Sequence, residues 1–398
     1  MPEWFPQPEW LIAPTGWETF ERKYWEKRPL IVERNDPNYY SNLLSLEQFD
    51  AILSNLSVYS SRVRLVGNDR ERTSSPGTHG SVYDRANGTE ALFAGFRRGE
   101  TIIVNSLHEE WPPLRDMCRA LSAKFCGAFQ VNVYLTPARS RGLRPHYDTH
   151  DVFVLQIHGT KKWQLFDEAV HLPLGGQVHR GEFFARNDAT EIINLRQGDM
   201  IYIPRGWGHV ADALDEISVH LTVGAYPLNW ALIVLKGVED VLAADVRFRE
   251  SLPVGFARDE GMRAKAVDCL AGLLDALRSR LDAAALIDYA TAGAELSSPP
   301  RLTGHLLDLA RLNPTEPDAR LRRREGVVGR LHDSGSAVGL TFHGKTIVFP
   351  ARFRDELRFL AESKQLFAPS SLPGDGTSEE KHLIARKLIE EGYLTFAS

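Results

Sequence analysis

Cysteine is scarce: the 398 residues hold three, Cys118, Cys126 and Cys269, and no two stand in a C-x-x-C spacing. That argues against a disulfide framework and against a thiolate zinc site, so each cysteine is expected as a small core residue. Long apolar runs are missing too. No stretch approaches 18 uncharged apolar residues, so no membrane-crossing helix is expected. The opening "MPEWFPQPEWLIAPTGWETF" has no basic segment followed by an apolar one, as a secretion signal would require. A cytosolic (cytoplasmic) protein is the expectation. Nor does one sign of charge dominate. Against 52 Asp+Glu stand 47 Lys+Arg, a formal charge of −5, and the isoelectric point is near 6.2. Neither nucleic acid nor an anionic membrane is attracted by such a balance, and neither is expected as a partner.

What is present is ordinary globular composition, 43% hydrophobic and 25% charged, on a chain long enough for two or three domains. Up to about residue 230 the sequence is aromatic-rich and punctuated by short β-prone runs: "RPLIVER", "TIIVN", "FQVNVYLTP", "DVFVLQI", "KKWQLF", "EIINL", "DMIYIP" and "ISVHLTVGAY". Many short strands with Gly, Pro and Asp between them predict an antiparallel sandwich or barrel, here entered through a helical lead, "GWETFERKYWEKR". From 231 to about 325 the period changes. Val267, Leu270, Leu274, Leu277 and Leu281 recur at spacings of three and four and form one helical stripe. Such a stripe must be covered, either by an internal helical core or by a second copy of the chain. Residues 326–398 combine a hairpin turning at His343-Gly344 with two helical stretches, the outline of a winged helix. Their nine basic and nine acidic side chains cancel, which weakens a DNA-binding reading.

The segment "RPHYDTHDVFVLQIHGTKKWQLF", residues 144–166, sets three histidines, two aspartates and two lysines into apolar strand sequence. His146 and Asp148 are two apart, so on an extended chain both point to one side. A second signal lies downstream, where "GDMIYIPRGWGHVA" supplies a turn at Gly198-Asp199, a strand, and a glycine-containing turn delivering His209. Two histidines and one carboxylate match the ligand set of non-haem Fe(II) oxygenases, in which three protein ligands leave sites open for a bidentate co-substrate and for O2. His150 is the rival ligand, but four residues of extended chain would carry it ~13 Å along the strand. His158, before Gly159, reads as a turn residue, and His220 as one that packs inside or bonds a backbone group.

Those two segments together resemble the JmjC-type cupin oxygenases, most closely the ribosomal oxygenase branch. The motifs span residues 130–225, and the order of barrel, helical segment and winged-helix-like tail extends the likeness to most of the chain. The resemblance implies an α+β protein: a double-stranded β-helix (cupin, jelly-roll) catalytic domain over 1–230 with its helical lead, a helical dimerisation region over 231–325, and a winged-helix-like domain over 326–398. It implies a homodimer. It also implies an oxygenase that uses Fe(II), O2 and 2-oxoglutarate to hydroxylate a protein or peptide side chain, releasing succinate and CO2. On this likeness His146, Asp148 and His209 are the iron ligands and Lys161, fifteen positions after His146, pairs with the distal carboxylate of 2-oxoglutarate. Lys162 points the other way. A dianion in an apolar barrel needs a buried cation, which agrees with that assignment.

Asn132 stands where the branch has an asparagine near the co-substrate. Tyr134 and Thr136 follow at period two on the same face, and Thr222 is a further co-substrate contact. A ribosomal protein is the first substrate to consider. Specificity is expected to reside in loops such as 68–90, which carry no readable code. Three other readings stay open: a biosynthetic enzyme that tailors a precursor peptide, a cupin metalloenzyme that does without 2-oxoglutarate, and a non-catalytic winged-helix regulator.

Overall fold

A computed structural model describes residues 7–55, 62–67, 70–73, 82–177, 184, 188–296, 302–312, 319–363 and 365–397. The chain divides into two compact units, Pro2–Asp282 and Ala283–Ser398.

The first unit opens with the helical lead, α1 (Pro8–Ile12) and α2 (Trp17–Lys23), then β1 (Leu30–Val32) and α3 (Leu46–Asn55). β2 (Val63–Gly67), β3 (Arg70–Thr73), α4 (Val82–Arg97), β4 (Thr101–Val104) and α5 (Pro112–Phe125) follow. Seven strands follow: β5 (Gly127–Thr136), β6 (Asp151–His158), β7 (Lys161–Glu168), β8 (Glu191–Leu195), β9 (Met200–Ile203), β10 (Trp207–Ala213) and β11 (Ser218–Pro227). Two helices close the unit, α6 (Trp230–Ala244) and α7 (Glu260–Arg280), capped by the side chains of Asn229 and Asp259.

The strands form two antiparallel sheets, one of eight in the order β1-β9-β6-β11-β5-β4-β2-β3 and one of three in the order β10-β7-β8. Period two decides what each face meets. On β5 the odd positions Phe129, Val131, Val133 and Leu135 join Val219, Leu221 and Val223 of β11 and Phe20, Phe49 and Leu114 of the helices in one core. Fully burying each such side chain contributes roughly 1.5–3 kcal/mol. The even positions of β5, from Gln130 to Thr136, take the other face, together with Ser218, His220 and Thr222 opposite them on β11. A second apolar cluster lies between the sheets, where Val152, Val154, Ile201 and Ile203 meet Trp163, Leu165, Ile193 and Leu195. This is the cupin-type arrangement expected, with mixed α and β content. Each β-prone run singled out above became a strand.

Several expectations are corrected. β2, β3 and β10 were not foreseen; β10 begins inside the "RGWG" stretch read as turn, because Gln164 and Trp163 of β7 pair with Val210 and Ala211. Only Cys118 is buried, whereas Cys126 and Cys269 are exposed and all three thiols are free. Cys126 ends α5 in a left-handed conformation, φ +53°, which turns it outward from the core. In the loop read at 68–90, residues 70–73 are strand and 82–97 helix, while 68–69 and 74–81 lie outside the described residues.

The apolar stripe on α7 finds little cover. Ala266 is the one buried residue of that helix, and Val267, Leu270 and Leu274 remain 59%, 54% and 55% exposed. Among the described residues no helix is long and apolar enough to cross a membrane.

The second unit holds α8 (Ala283–Leu296), α9 (His305–Arg311), β12 (Leu321–Arg323), β13 (Arg330–Asp333), β14 (Ala337–Phe342), β15 (Lys345–Pro350), α10 (Arg354–Glu362), α11 (Ser378–Glu390) and β16 (Leu394–Phe396). β13-β14-β15 form one sheet and β12 pairs with β16. The hairpin turns where expected, with Phe342 opposite Lys345. His343 and Gly344 both have positive φ, +52° and +73°, the signature of a type I′ turn. Leu340, Phe342, Leu357, Leu388 and Tyr393 make its core.

Candidate active site

The three predicted ligands meet. One ligand atom from each of His146, Asp148 and His209 lies within 4.8 Å of the others, a group that could hold a metal ion. His146 and His209 face each other across an isolated bridge: His146 N donates to His209 O at 3.1 Å and His209 N to His146 O at 2.8 Å. Asp148 Oδ1 stands 3.9 Å from His146 Nε2 and its Oδ2 3.5 Å from His209 Nε2. Residues 142–150 are not regular strand; a bridge at Arg141 and another at His146 replace the continuous ladder that the spacing of two suggested.

Backbone carbonyls set the histidine tautomers. Nδ1 of His146 lies 2.8 Å from Arg144 O and Nδ1 of His209 lies 3.2 Å from Trp207 O. A carbonyl can only accept, so each Nδ1 carries the proton and each Nε2 lone pair faces the site, as metal ligation requires. Burial lowers the pKa of His209 to about 4, reinforced by His146 and opposed by Asp148. Burial pushes Asp148 upward, but His209, His146 and His150 outweigh it and hold its carboxyl below the ordinary value. At neutral pH these two present a neutral imidazole and a carboxylate. Side-chain exposure is 26% at His146 and 27% at Asp148 but 7% at His209, so the group opens to solvent on the side of the first two.

His150 stays out of this group. Its ring stacks on Tyr226 at 4.6 Å instead.

Lys161 is buried at the start of β7, and its Nζ makes one hydrogen bond, 2.8 Å to Thr136 Oγ1. Burial lowers its pKa to about 7, with Asp212 pulling it back up. Among the described residues this buried ammonium has no carboxylate in ion-pair contact. Lys162 is turned to the opposite face and is half-buried. Of the polar residues expected around the co-substrate, Tyr134 is present on the same strand face and stacks on His220 at 4.8 Å. Thr222 pairs with Asn132 in the β5–β11 ladder. The side-chain oxygen of Asn132 is already occupied, accepting from Ser106 N and Gln130 Nε2, both at 2.9 Å. That gives Asn132 structural bonds. His220 packs inside as expected, but neither ring nitrogen bonds the backbone among the described residues.

Sequence reading missed what joins the two ligand segments. Arg205 Nη1 pairs with Asp151 Oδ2 at 2.7 Å and with Glu26 Oε1 at 2.6 Å, and Tyr202 OH donates to Asp151 Oδ1 at 2.8 Å. Asp151 stands three residues after Asp148 and Arg205 four before His209. Between them Gly206 N donates to Asp148 O at 2.9 Å. Gly206 has φ +88°, and a Cβ there would lie 1.8 Å from Val170 O, so no other residue fits without displacing that turn. Burial pushes the Asp151 carboxyl up despite Arg205, so the pair is held only while both partners stay. Arg205→Met is therefore expected to cost about 3–5 kcal/mol by stranding a buried carboxylate. Chemical denaturation should show it, and adding Asp151→Asn should recover part of the loss.

Two facing sheets carrying a His/Asp/His group that could hold a metal ion and a buried lysine make a cupin-type fold with a candidate metal site. Residues 109–232 match the JmjC domain family. Over those residues the chain is similar to JmjC domains, and its wider likeness is to the ribosomal oxygenases. It is 31% identical to ribosomal oxygenase 1 of Gallus gallus over 62% of this chain and 41% of that one. It is 26% identical to ribosomal oxygenase 1 of Danio rerio over 97% of this chain and 78% of that one. The chain thus spans about two-fifths of the first relative and most of the second. A solved structure of YcfD, a ribosomal oxygenase from Escherichia coli in complex with cobalt and 2-oxoglutarate, shares the fold: TM-score 0.50 and 16% identity over 97% of this chain and 99% of that one.

Proposed function

We propose that this chain is an Fe(II)- and 2-oxoglutarate-dependent oxygenase that hydroxylates a side chain of a protein, a ribosomal protein being the first to test. One observation carries the reading: a His/Asp/His group that could hold a metal lies beside Trp163, two residues from a buried lysine on the same strand face that has no ion pair among the described residues. The relatives named ribosomal oxygenases and the cobalt and 2-oxoglutarate bound by YcfD support it.

The residues fit both groups. His146, Asp148 and His209 would hold the iron, three ligands rather than four, which leaves coordination positions open. Lys161 would neutralise the distal carboxylate, assisted by the Thr136 hydroxyl it already touches. When bound, iron would activate O2, the oxidant, with the 2-oxo acid giving up two electrons as it becomes succinate and CO2 and the substrate C–H the other two as it is hydroxylated. The rest falls to the chain: the inter-sheet cluster keeps the pocket dry, and the exposed edges of His146 and Asp148 admit the substrate. Incubated with Fe(II), 2-oxoglutarate and ribosomal proteins, the chain should add the mass of one oxygen to a side chain. No such product from any ribosomal protein would point to another protein or peptide.

We extend the proposal to the organisation of the chain: a catalytic domain over 1–230, a helical dimerisation region over 231–325 and a winged-helix-like domain over 326–398. Three leucine and valine side chains on one face of α7, each more than half exposed, support a homodimer. Leu270→Glu combined with Leu274→Glu should yield a monomer in light scattering while the wild type is a dimer. The sheet β13-β14-β15 with α10 and α11 supports the tail assignment. The free thiols, two of them exposed, support a reducing, cytosolic setting.

A further inference from the structure

Near Lys161, whose Nζ bonds Thr136, two buried ring nitrogens have no hydrogen-bond partner among the described residues. His220 on β11 is 3% exposed, and its Nδ1 is buried with no hydrogen bond. The indole Nε1 of Trp163, two residues after Lys161 on β7, is also buried with no acceptor. These side chains are neighbours. His220 and Trp163 meet edge to face at 5.4 Å, His220 lies flat on Tyr134, and Trp163 is 6.0 Å from the ring of His209. On the far side Thr136 Oγ1 accepts from both Lys161 Nζ, at 2.8 Å, and Thr101 Oγ1, at 3.2 Å. A hydroxyl that accepts twice keeps its own proton to give.

The polar groups gathered here are mostly donors: an ammonium, an indole N–H, a hydroxyl and an imidazole with a ring nitrogen to spare. Buried polar groups in folded proteins are almost always paired. Two unpaired ring nitrogens beside an ammonium whose one hydrogen-bond partner is a neutral hydroxyl suit a ligand rich in acceptor oxygens lying between the metal group and Lys161.

We propose that His220 and Trp163 are two further binding residues for the 2-oxo dicarboxylic acid, each hydrogen-bonding its oxygens between the metal and Lys161. This inference rests on the oxygenase reading above. It makes His220 a ligand-binding residue, where its sequence suggested only a packed core histidine.

The test separates binding from folding and from turnover. 2-Oxoglutarate is titrated calorimetrically into the full-length, Mn(II)-loaded protein without O2, alongside His220→Phe and Trp163→Phe. Both variants keep an aromatic ring and lose the polar atom. Each should weaken 2-oxoglutarate binding about 10-fold to 100-fold, as for hydrogen bonds to charged groups. Mn(II) affinity should be unchanged, and the metal-free His220→Phe protein should melt no lower than wild type, since an unpaired buried nitrogen has been removed. Wild-type affinity for 2-oxoglutarate in both variants would overturn the proposal, as would a large drop in the melting temperature of metal-free His220→Phe. Failure of the wild type itself to bind 2-oxoglutarate would instead bring down the oxygenase reading.

Discussion

Asp148→Ala is expected to abolish metal binding and, with it, all turnover. Asp148 is the single anionic member of the group, its two oxygens 3.5 and 3.9 Å from the two imidazole nitrogens. Without it a divalent cation would meet two neutral rings, one of them exposed to water. Loss of a supporting residue around a metal site costs about 10–100-fold in affinity, and loss of a direct ligand should exceed that. Asp148→Asn preserves shape and removes the charge, so it should fall between alanine and wild type. Equilibrium binding of Fe(II) or Mn(II), measured without co-substrate, reads this directly. The fold should persist, because the strands around Asp148 are held by Arg205, Asp151 and Tyr202 rather than by its carboxylate.

Lys161→Met carries the second large effect and separates two kinds of cupin enzyme. With its ammonium gone, the distal carboxylate of 2-oxoglutarate would enter a buried site without a counter-charge, and affinity should drop by at least about 100-fold. Metal binding should not change. An enzyme that dispenses with 2-oxoglutarate would instead keep its activity. Acidity gives an independent check. In the free protein burial lowers the Lys161 pKa to about 7, below its unfolded value, so the unfolded chain binds more protons between those two values. The contribution of Lys161 to stability therefore rises with pH across that window and is least below pH 7. Lys161→Met should consequently raise the stability of the ligand-free protein at neutral pH. Binding a dianion demands the charged ammonium, so affinity for 2-oxoglutarate should fall about tenfold per pH unit above pH 7. That slope should vanish in Lys161→Met.

Much of this was legible in the sequence because it is local. Alternation along "FQVNVYLTP" places Asn132, Tyr134 and Thr136 on one face and valines on the other, and the ladder keeps that division. The His-x-Asp spacing and the turn before His209 point to the three residues that the structure brings together, although a single bridge rather than a strand aligns the two histidines. What was not legible is non-local. Asp151 and Arg205 lie 54 residues apart, and nothing in either neighbourhood marks them as partners. Trp163 and His220 look like packing residues until their nitrogens are found without partners. The α7 stripe shows the same limit: periodicity gives the apolar face but not what covers it.

The central claim is that His146, Asp148 and His209 hold iron in the same pocket where Lys161 holds a 2-oxo acid. Its most direct test is succinate formed from 2-oxoglutarate by the purified protein with Fe(II), ascorbate and O2, with and without ribosomal proteins. The account predicts succinate from the wild type, stimulated by the right substrate, and none from His146→Ala. Succinate from His146→Ala at the wild-type rate, or none from the wild type under any of these conditions, would contradict it.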